Sequence, residues 1–321
     1  MFFTPCKSYL CPLVLNYNNC FTILKKIKIG TRGSKLALWQ ATHTQQQLSG
    51  IGVAAELVII KTQGDKIQHL GFDKLEGKGF FTKEIEDALL RGEVDMAVHS
   101  MKDMPTTQPE GLVLAGVSYR EDPTDWLLIR PEGQAEGPLF SLKEKAIVGT
   151  SSARRKAQML DFRPDITLKD IRGNVPTRIE KLRRGDFDAI LLAGAGISRL
   201  KLDVSDLKVV KFNPREFTPA PAQGVLTYQC CEADLETRRL IKQLHQPNVV
   251  AVTNVERSIL KGICGGCHLP LGAYCEQDVN GHYHVWAAYA PAWDAPVKRV
   301  RLSQSTSFNL AERTLEMLLA K

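Results

Sequence analysis

The sequence lacks several features that mark common functional classes. No apolar run approaches the roughly 18 consecutive residues that a membrane-spanning helix requires. The nucleotide-binding spacing G-x-x-x-x-G-K-[ST] is absent. Aromatic residues make up 7% of the chain, and the basic segments lack the stacking aromatics of a nucleic-acid groove. We therefore expect neither a membrane partner nor a nucleic-acid partner.

The chain also lacks the dense cysteine framework of a small secreted domain. Its eight cysteines are spread unevenly over 321 residues, which favours reduced thiols in a cytoplasmic protein. Residues 1–26 have no basic start and no small-residue cleavage site, so we interpret them as a disordered extension. A degenerate signal or transit peptide and a misassigned start codon are the alternatives for this segment.

Length and charge give a broad expectation about organisation and partners. With 321 residues and 44% hydrophobic content, the chain is long enough for two or three domains. Its net charge of +7 favours an anionic partner. Charge alone does not distinguish an acidic small molecule from nucleic acid or a membrane surface.

From Ile27 onward, short apolar strands alternate with amphipathic helices. The predicted strand 27–31 ends in a glycine turn, and Ser34 is placed to cap the helix that follows. Thr82 is placed to cap a second helix. The order of strand, small-residue turn and helix recurs at residues 146–155, which predicts two α/β lobes.

A third region, beginning near residue 243, has the pattern of a small α+β domain. Asn280-Gly281 is a strong hairpin-turn signal that pairs the strands on either side of it. We assign residues 27–120 and 217–242 to the first lobe, 121–216 to the second lobe and 243–321 to the third domain.

Both lobes place basic side chains and backbone amides where a strand ends and a helix begins. Free amides and the helix dipole point at the same place there, so residues 30–34 and 149–155 are candidate anion sites. Ordinary tight turns with solvated arginines are the alternative. Many cations facing one cleft would suit a substrate with several carboxylates. Further basic candidates are Lys74, Lys78, Lys102, Arg172, Arg178 and Arg199.

Asp103 lies beside Lys102, just after a predicted buried strand at residues 96–99. As a catalytic carboxylate, Asp103 would lie at the carboxyl edge of a parallel sheet, where such folds bind their ligands. As a structural residue, it would be an ordinary surface turn residue shortly before a proline. The sequence pattern alone leaves both interpretations open.

Residues 264–268, with the sequence CGGCH, allow several interpretations. They match the haem signature C-x-x-C-H, a redox C-x-x-C motif, and half of a zinc site for which His282 and His284 are nearby candidates. Haem attachment requires export, and the chain has no convincing signal peptide. A redox motif belongs at a helix start after a strand, whereas this segment follows a predicted helix. A single nucleophilic thiolate on a glycine loop fits at least as well.

Seven segments of the chain carry a further resemblance: 31–41 (TRGSKLALWQA), 77–83, 99–105, 149–155, 172–178, 221–224 and 265–272. Taken together, they are similar to the porphobilinogen deaminase family, also called hydroxymethylbilane synthase, from about Ile27 to the end of the chain. The similarity is weak beyond Tyr274, and Ala222 stands where many relatives have glycine.

The resemblance implies two α/β lobes like those of periplasmic binding proteins, and a third domain in which Cys267 holds a dipyrromethane cofactor by a thioether. It implies Asp103 as the catalytic residue and Phe81 as part of a flexible active-site segment, in a monomer without a metal. The residues implied to bind carboxylates of cofactor and substrate are Arg32, Ser34, Lys78, Ser100, Lys102, Thr150, Ser151, Ser152, Arg154, Arg155, Arg172, Arg178 and Arg199.

The implied reaction joins four porphobilinogen molecules head to tail with release of ammonia. Hydrolysis then frees the linear tetrapyrrole hydroxymethylbilane. Each added ring brings two carboxylates, which would account for the basic side chains of the lobes. The alternative from another class is a two-lobed binding protein for an anionic metabolite. Asp103 and the Cys267 loop favour the enzyme, because a binding protein needs neither.

Overall fold

The computed structural model describes residues 26–62, 82–263 and 269–320. Within these ranges the chain forms two five-stranded sheets and one three-stranded sheet, with helices packed against them. None of the helices in the described residues is long and apolar enough to cross a membrane. The predicted fold class, two α/β lobes with a small α+β domain, is confirmed.

The first lobe begins at a strand followed by a capped helix, as predicted. Ser34 accepts a hydrogen bond from the backbone amide of Ala37 at 3.3 Å and so caps the helix. Thr82 precedes the next helix, but its hydroxyl makes no capping hydrogen bond, so that part of the prediction is wrong. The elements in this stretch are β1 (Ile27–Thr31), α1 (Lys35–Gly50), β2 (Ala55–Ile59), α2 (Lys83–Leu90), β3 (Met96–Ser100) and β4 (Leu112–Arg120).

The second lobe repeats this plan around a mixed sheet. The elements are β5 (Asp125–Ile129), β6 (Ile147–Gly149), α3 (Ala153–Phe162), β7 (Thr167–Lys169), α4 (Val175–Arg183), β8 (Ala189–Ala193), α5 (Gly194–Leu200) and β9 (Lys208–Lys211). The strand order is β7-β6-β8-β5-β9, and β5 runs antiparallel to both of its neighbours.

The chain then returns to the first lobe through β10 (Val225–Cys231) and α6 (Leu235–Leu244). Strand β10 inserts between β3 and β4 and runs antiparallel to both. Residues 121–124 and 212–224 therefore cross between the two sheets. The two crossings touch, since the amide of Glu121 donates to the carbonyl of Gly224 at 3.0 Å. The side chains of Gln223 and Asp125, from the two lobes, also meet there.

The third domain contains α7 (Pro247–Gly262), β11 (Leu271–Gln277), β12 (Tyr283–Tyr289), β13 (Lys298–Gln304) and α8 (Leu310–Leu319). Its sheet is antiparallel, in the order β11-β12-β13, and the two helices cover it. The predicted hairpin at Asn280-Gly281 is confirmed, since it joins β11 to β12. Val255 and Ile259 belong to the buried core of this domain.

Candidate active site

The first lobe forms a small cleft at the carboxyl end of its parallel strands. Strand β3 ends at Ser100, and the short 3-10 turn Met101–Asp103 follows it. Met101 is buried below the turn, whereas Asp103 is exposed. The carboxylate-bearing Asp103 lines a cavity of about 120 Å³ together with Arg32 and Ser34. The fold thus brings together residues that the sequence places about 70 positions apart.

The walls of this cleft contain polar side chains that the sequence did not single out. The Gln40 side chain donates a hydrogen bond to the Ser100 hydroxyl at 2.9 Å. His99 also lines the cleft, and burial lowers the pKa of its ring to about 4, so the imidazole is neutral at physiological pH. The signal that could have found it is its position near the end of a buried strand, four residues before Asp103.

In the second lobe, two predicted anion-binding arginines form ion pairs with a carboxylate of the protein itself. Asp125 is completely buried, and its side chain accepts hydrogen bonds from Arg154 at 2.7 Å and from Arg155 at 2.7 Å. Arg154 also donates to the carbonyl of Thr218, and Arg155 donates to the carbonyl of Leu191. The orientations of both guanidinium groups are therefore fixed by the protein.

Gln223 connects this ion-pair cluster to the turn that carries Asp103. Its side-chain amide donates to Asp125 at 2.9 Å, and its side-chain oxygen accepts from the Lys102 ammonium at 3.3 Å. Burial, together with the charges of nearby arginines, lowers the pKa of Lys102 to about 8. Sequence reasoning missed Asp125 and Gln223, because nothing in the pattern of either segment predicts that they meet.

The second lobe also holds a group of cations that stand close to one another. Burial, and then the charges of Arg155 and Arg172, lower the pKa of Arg178 to about 10. Arg178 is oriented by a hydrogen bond to the carbonyl of Gly173 at 2.7 Å. The positive charges of Arg155, Arg172 and Arg178 therefore repel one another. A bound anion would relieve this repulsion, as expected for a site that binds carboxylates.

The small residues of the turn after β6 hold this part of the lobe in shape. The Ser151 hydroxyl donates to the carbonyl of Ile171 at 2.8 Å and so fixes the residue before Arg172. Ser152 occupies the N-cap of α3, and the Thr150 hydroxyl accepts from the Ser152 amide at 3.3 Å. The three predicted residues of this turn thus have structural roles in positioning the arginines.

Arg199 lies at the contact between the two lobes. It is 5% exposed and donates to the carbonyl of Gly224 at 2.6 Å, while its guanidinium stands 5.7 Å from the ring centre of Trp39. Gly224 has a φ of 90°, and a side chain there would meet the carbonyl of Glu121 at 2.3 Å. Arg199 therefore joins α5 to α1 and to the second crossing segment.

Comparison with known proteins assigns the family. The profile described as "Porphobilinogen deaminase, dipyromethane cofactor binding domain" matches residues 27–239. The chain belongs to the porphobilinogen deaminase family. The porphobilinogen deaminase of a Nitratiruptor species is 46% identical over 247 residues, 77% of each chain. That of Bacillus subtilis (strain 168) is 44% identical over 257 residues, 78% of this chain and 79% of its own.

The lobes also have distant structural neighbours. A periplasmic substrate-binding protein of an ABC transporter from Coxiella burnetii covers 70% of this chain and 94% of its own, with 14% identity and a TM-score of 0.41. This likeness decides neither substrate nor activity. The predicted family and its dipyrromethane cofactor are confirmed by the profile match, because the matched domain is described as binding that cofactor.

The residue proposed to attach the cofactor does not belong to the cleft residues described above. Cys267, with Cys264, falls outside the described residues and outside the matched range 27–239. Lys74, Lys78 and Phe81 also lie outside the described residues. Their roles remain predictions.

The two histidines considered as zinc ligands have partners of their own in the hairpin of the third domain. His284 contacts Ser303 at 2.7 Å and Asp278 at 3.1 Å. His282 lies 3.5 Å from the same Asp278 carboxylate. Residues 264–268 lie outside the described residues, so the zinc alternative stays a prediction.

Proposed function

We propose that the protein is a hydroxymethylbilane synthase. It joins four porphobilinogen molecules head to tail with release of ammonia, and hydrolysis then releases hydroxymethylbilane. Beyond family membership, one observation supports this reaction: the exposed carboxylate of Asp103 and the partly buried ammonium of Lys102 share one turn, which Gln223 links to the arginine cluster of the second lobe. The arrangement combines a proton-transfer group with cations for carboxylates.

The cations of the cleft fit a cofactor that carries several carboxylates. The lowered pKa values of Lys102 and Arg178 indicate that the protein places these cations where burial and neighbouring positive charge disfavour them. We propose Cys267 as the residue that holds the dipyrromethane by a thioether. When bound there, the dipyrromethane supplies the pyrrole α-carbon from which the chain of rings is extended. Arg172 and Arg178 would hold carboxylates, and the pair Arg154 and Arg155 would add directed positive charge.

Asp103 is the proposed catalytic residue. Its carboxylate is exposed in the cleft and lies close to the cationic Lys102. It can therefore accept hydrogen bonds from pyrrole N–H groups and stabilise the positive charge that develops as ammonia leaves. Arg32, Ser34 and Ser100 line the same cleft and would bind carboxylates there.

The assignment of each strand to one of the three sheets supports the domain limits proposed from the sequence. We propose a first lobe of residues 27–120 and 217–242, a second lobe of 121–216 and a third domain of 243–321. We also propose a monomer, as the family resemblance implies. A small anionic substrate fits a cytoplasmic enzyme without membrane or nucleic-acid partners.

The intact mass of the purified protein tests the proposed function. Limiting porphobilinogen should give discrete covalent species that survive denaturation, differ by one pyrrole unit and end at four added units. Peptide mapping should find every unit on the fragment that contains Cys267. A folded, cofactor-bearing protein whose mass never changes with porphobilinogen would contradict the proposal and support the binding-protein alternative.

A further inference from the structure

Helix α7 of the third domain contacts the turn that carries Asp103. Arg257 donates from one terminal nitrogen to the carbonyls of Met101 and Met104, both at 3.1 Å. Its other terminal nitrogen donates to the carbonyl of Pro105 at 2.7 Å. Asp103 lies between these three acceptors, so the backbone on both sides of it is fixed to α7.

The chemistry of this contact favours an arginine specifically. Three carbonyl oxygens converge on one partly buried cation, and hydrogen bonds from a charged donor are stronger than neutral ones. Burial lowers the pKa of Arg257, but a guanidinium remains charged in proteins. A lysine has one nitrogen and cannot reproduce the planar fork that reaches all three oxygens.

Apolar packing and a second buried carboxylate hold α7 against the first lobe. Met101 packs in a cluster with Val249 and Val250 of α7. Next to Arg257, the buried Glu256 accepts hydrogen bonds from Arg120 at 2.7 Å and from the amide of Ala222 at 2.6 Å. The position of the helix relative to the turn is thus fixed at several points.

The same helix leads to the proposed attachment residue. Helix α7 ends at Gly262, five residues after Arg257, and residues 264–268 follow. Five residues of helix correspond to about 7.5 Å. Helix α7 therefore holds the backbone around Asp103 through Arg257 and ends two residues before the segment that contains Cys267.

We propose that Arg257 is a positioning residue for the reaction. It fixes the Asp103 turn to the helix that precedes Cys267, so that the carboxylate keeps its place relative to the cofactor. This inference rests on the proposed function, because it requires that Asp103 act in ring addition. Arg257 acts through the turn and contacts no substrate itself.

A double-mutant cycle tests this role. We expect Arg257→Met to keep the cofactor by intact mass and to slow ring addition about 10- to 100-fold, with KM changed less than about threefold, since small misplacements of a reacting group are costly. Hydrogen exchange should rise in residues 101–105. In an Asp103→Asn background, Arg257→Met should slow single ring addition less than about twofold. Arg313→Met, which removes an exposed arginine of the same domain, is the matched control and should leave ring addition unchanged.

The outcomes separate this inference from the proposed function. If Arg257→Met slows ring addition equally in the wild-type and Asp103→Asn backgrounds, Arg257 has a general structural role. That result would overturn this inference and leave the proposed function standing. Normal turnover by Asp103→Asn would contradict the role of Asp103 and the inference with it. If Arg257→Met fails to fold, Arg257→Lys is measured in the same cycle, because it keeps the charge and loses the fork; wild-type rates with Arg257→Lys would also overturn the inference.

Discussion

Asp125 Oδ2 lies 2.7 Å from Arg154 Nη1 in an ion pair from which solvent is almost wholly excluded. Arg155 completes the cluster from the other carboxylate oxygen. Arg154 and Arg155 are predicted to bind carboxylates, and the structure shows that an internal carboxylate orients both of them. If they bind substrate as proposed, that binding depends on Asp125.

Removing the negative charge of Asp125 should strongly destabilise the second lobe. Asp125→Asn leaves two buried guanidinium groups without a counter-ion, which typically costs about 3–5 kcal/mol. Urea unfolding should show this loss of free energy at neutral pH. Glu93→Gln, which breaks the exposed pair with Arg91 at 2.6 Å, is the control and should change stability little. Equal midpoints for both variants would contradict the prediction.

The pH dependence of this effect follows from the direction of the shift. Burial alone would raise the pKa of Asp125, but the charges of and hydrogen bonds from Arg154 and Arg155 outweigh it and hold the pKa well below its usual range. The stabilisation is therefore present above the ordinary pKa of aspartate and is lost as pH falls through the lower folded-state pKa. The difference in the free energy of unfolding between the wild type and Asp125→Asn should shrink only in strong acid.

Lys102 should give substrate binding an alkaline limit. Its pKa of about 8 means that the ammonium loses its proton and charge as pH rises above that value, while carboxylates stay ionised. We expect KM for porphobilinogen to rise above about pH 8 in the wild type. The Lys102→Arg variant stays charged, so its kcat/KM should not fall above about pH 8. The same alkaline fall in kcat/KM in both proteins would assign it to another group.

Ala222 should tolerate glycine better than a typical buried alanine. It is completely buried and has a φ of 61°, in the left-handed region that costs a non-glycine residue roughly 1–2 kcal/mol. Glycine relieves this strain but adds freedom to the unfolded chain. Ala222→Gly should therefore change the free energy of unfolding by between about zero and 1 kcal/mol in the stabilising direction. Ala41→Gly in α1 should destabilise by about 1 kcal/mol, and thermal unfolding of both variants checks the contrast.

The two neighbouring cysteines should differ in cofactor attachment. Cys267→Ala should be purified without the pyrrole adduct and should be inactive, because the thioether has no sulfur to form on. Cys264→Ala should keep both adduct and activity. Intact mass and a turnover assay distinguish them, and the reverse pattern would move the attachment site to Cys264.

The sequence by itself determined the repeated α/β plan and the elements with strong local signals. Ser34 before an amphipathic helix predicted α1, and Asn280-Gly281 predicted the hairpin of the third domain, because caps and tight turns depend on residues a few positions apart. The strands β4, β5, β9 and β10 were not predicted. Strand β10 pairs only with β3 and β4, whose paired residues lie more than 100 positions away in the chain, so its place depends on tertiary packing.

The sequence also determined which residue types the site contains, through motifs at the ends of strands. Only the tertiary structure decided their electrostatic state. Asp125, Gln223 and Arg257 come from three separate parts of the chain, and they meet the predicted residues through the crossing segments and α7. Local sequence patterns do not show which distant residues come into contact. Burial and the charges of distant neighbours decide that Arg154 and Arg155 are paired and that the pKa of Lys102 is lowered to about 8. The tertiary contact of Arg257 decides which turn is held in place.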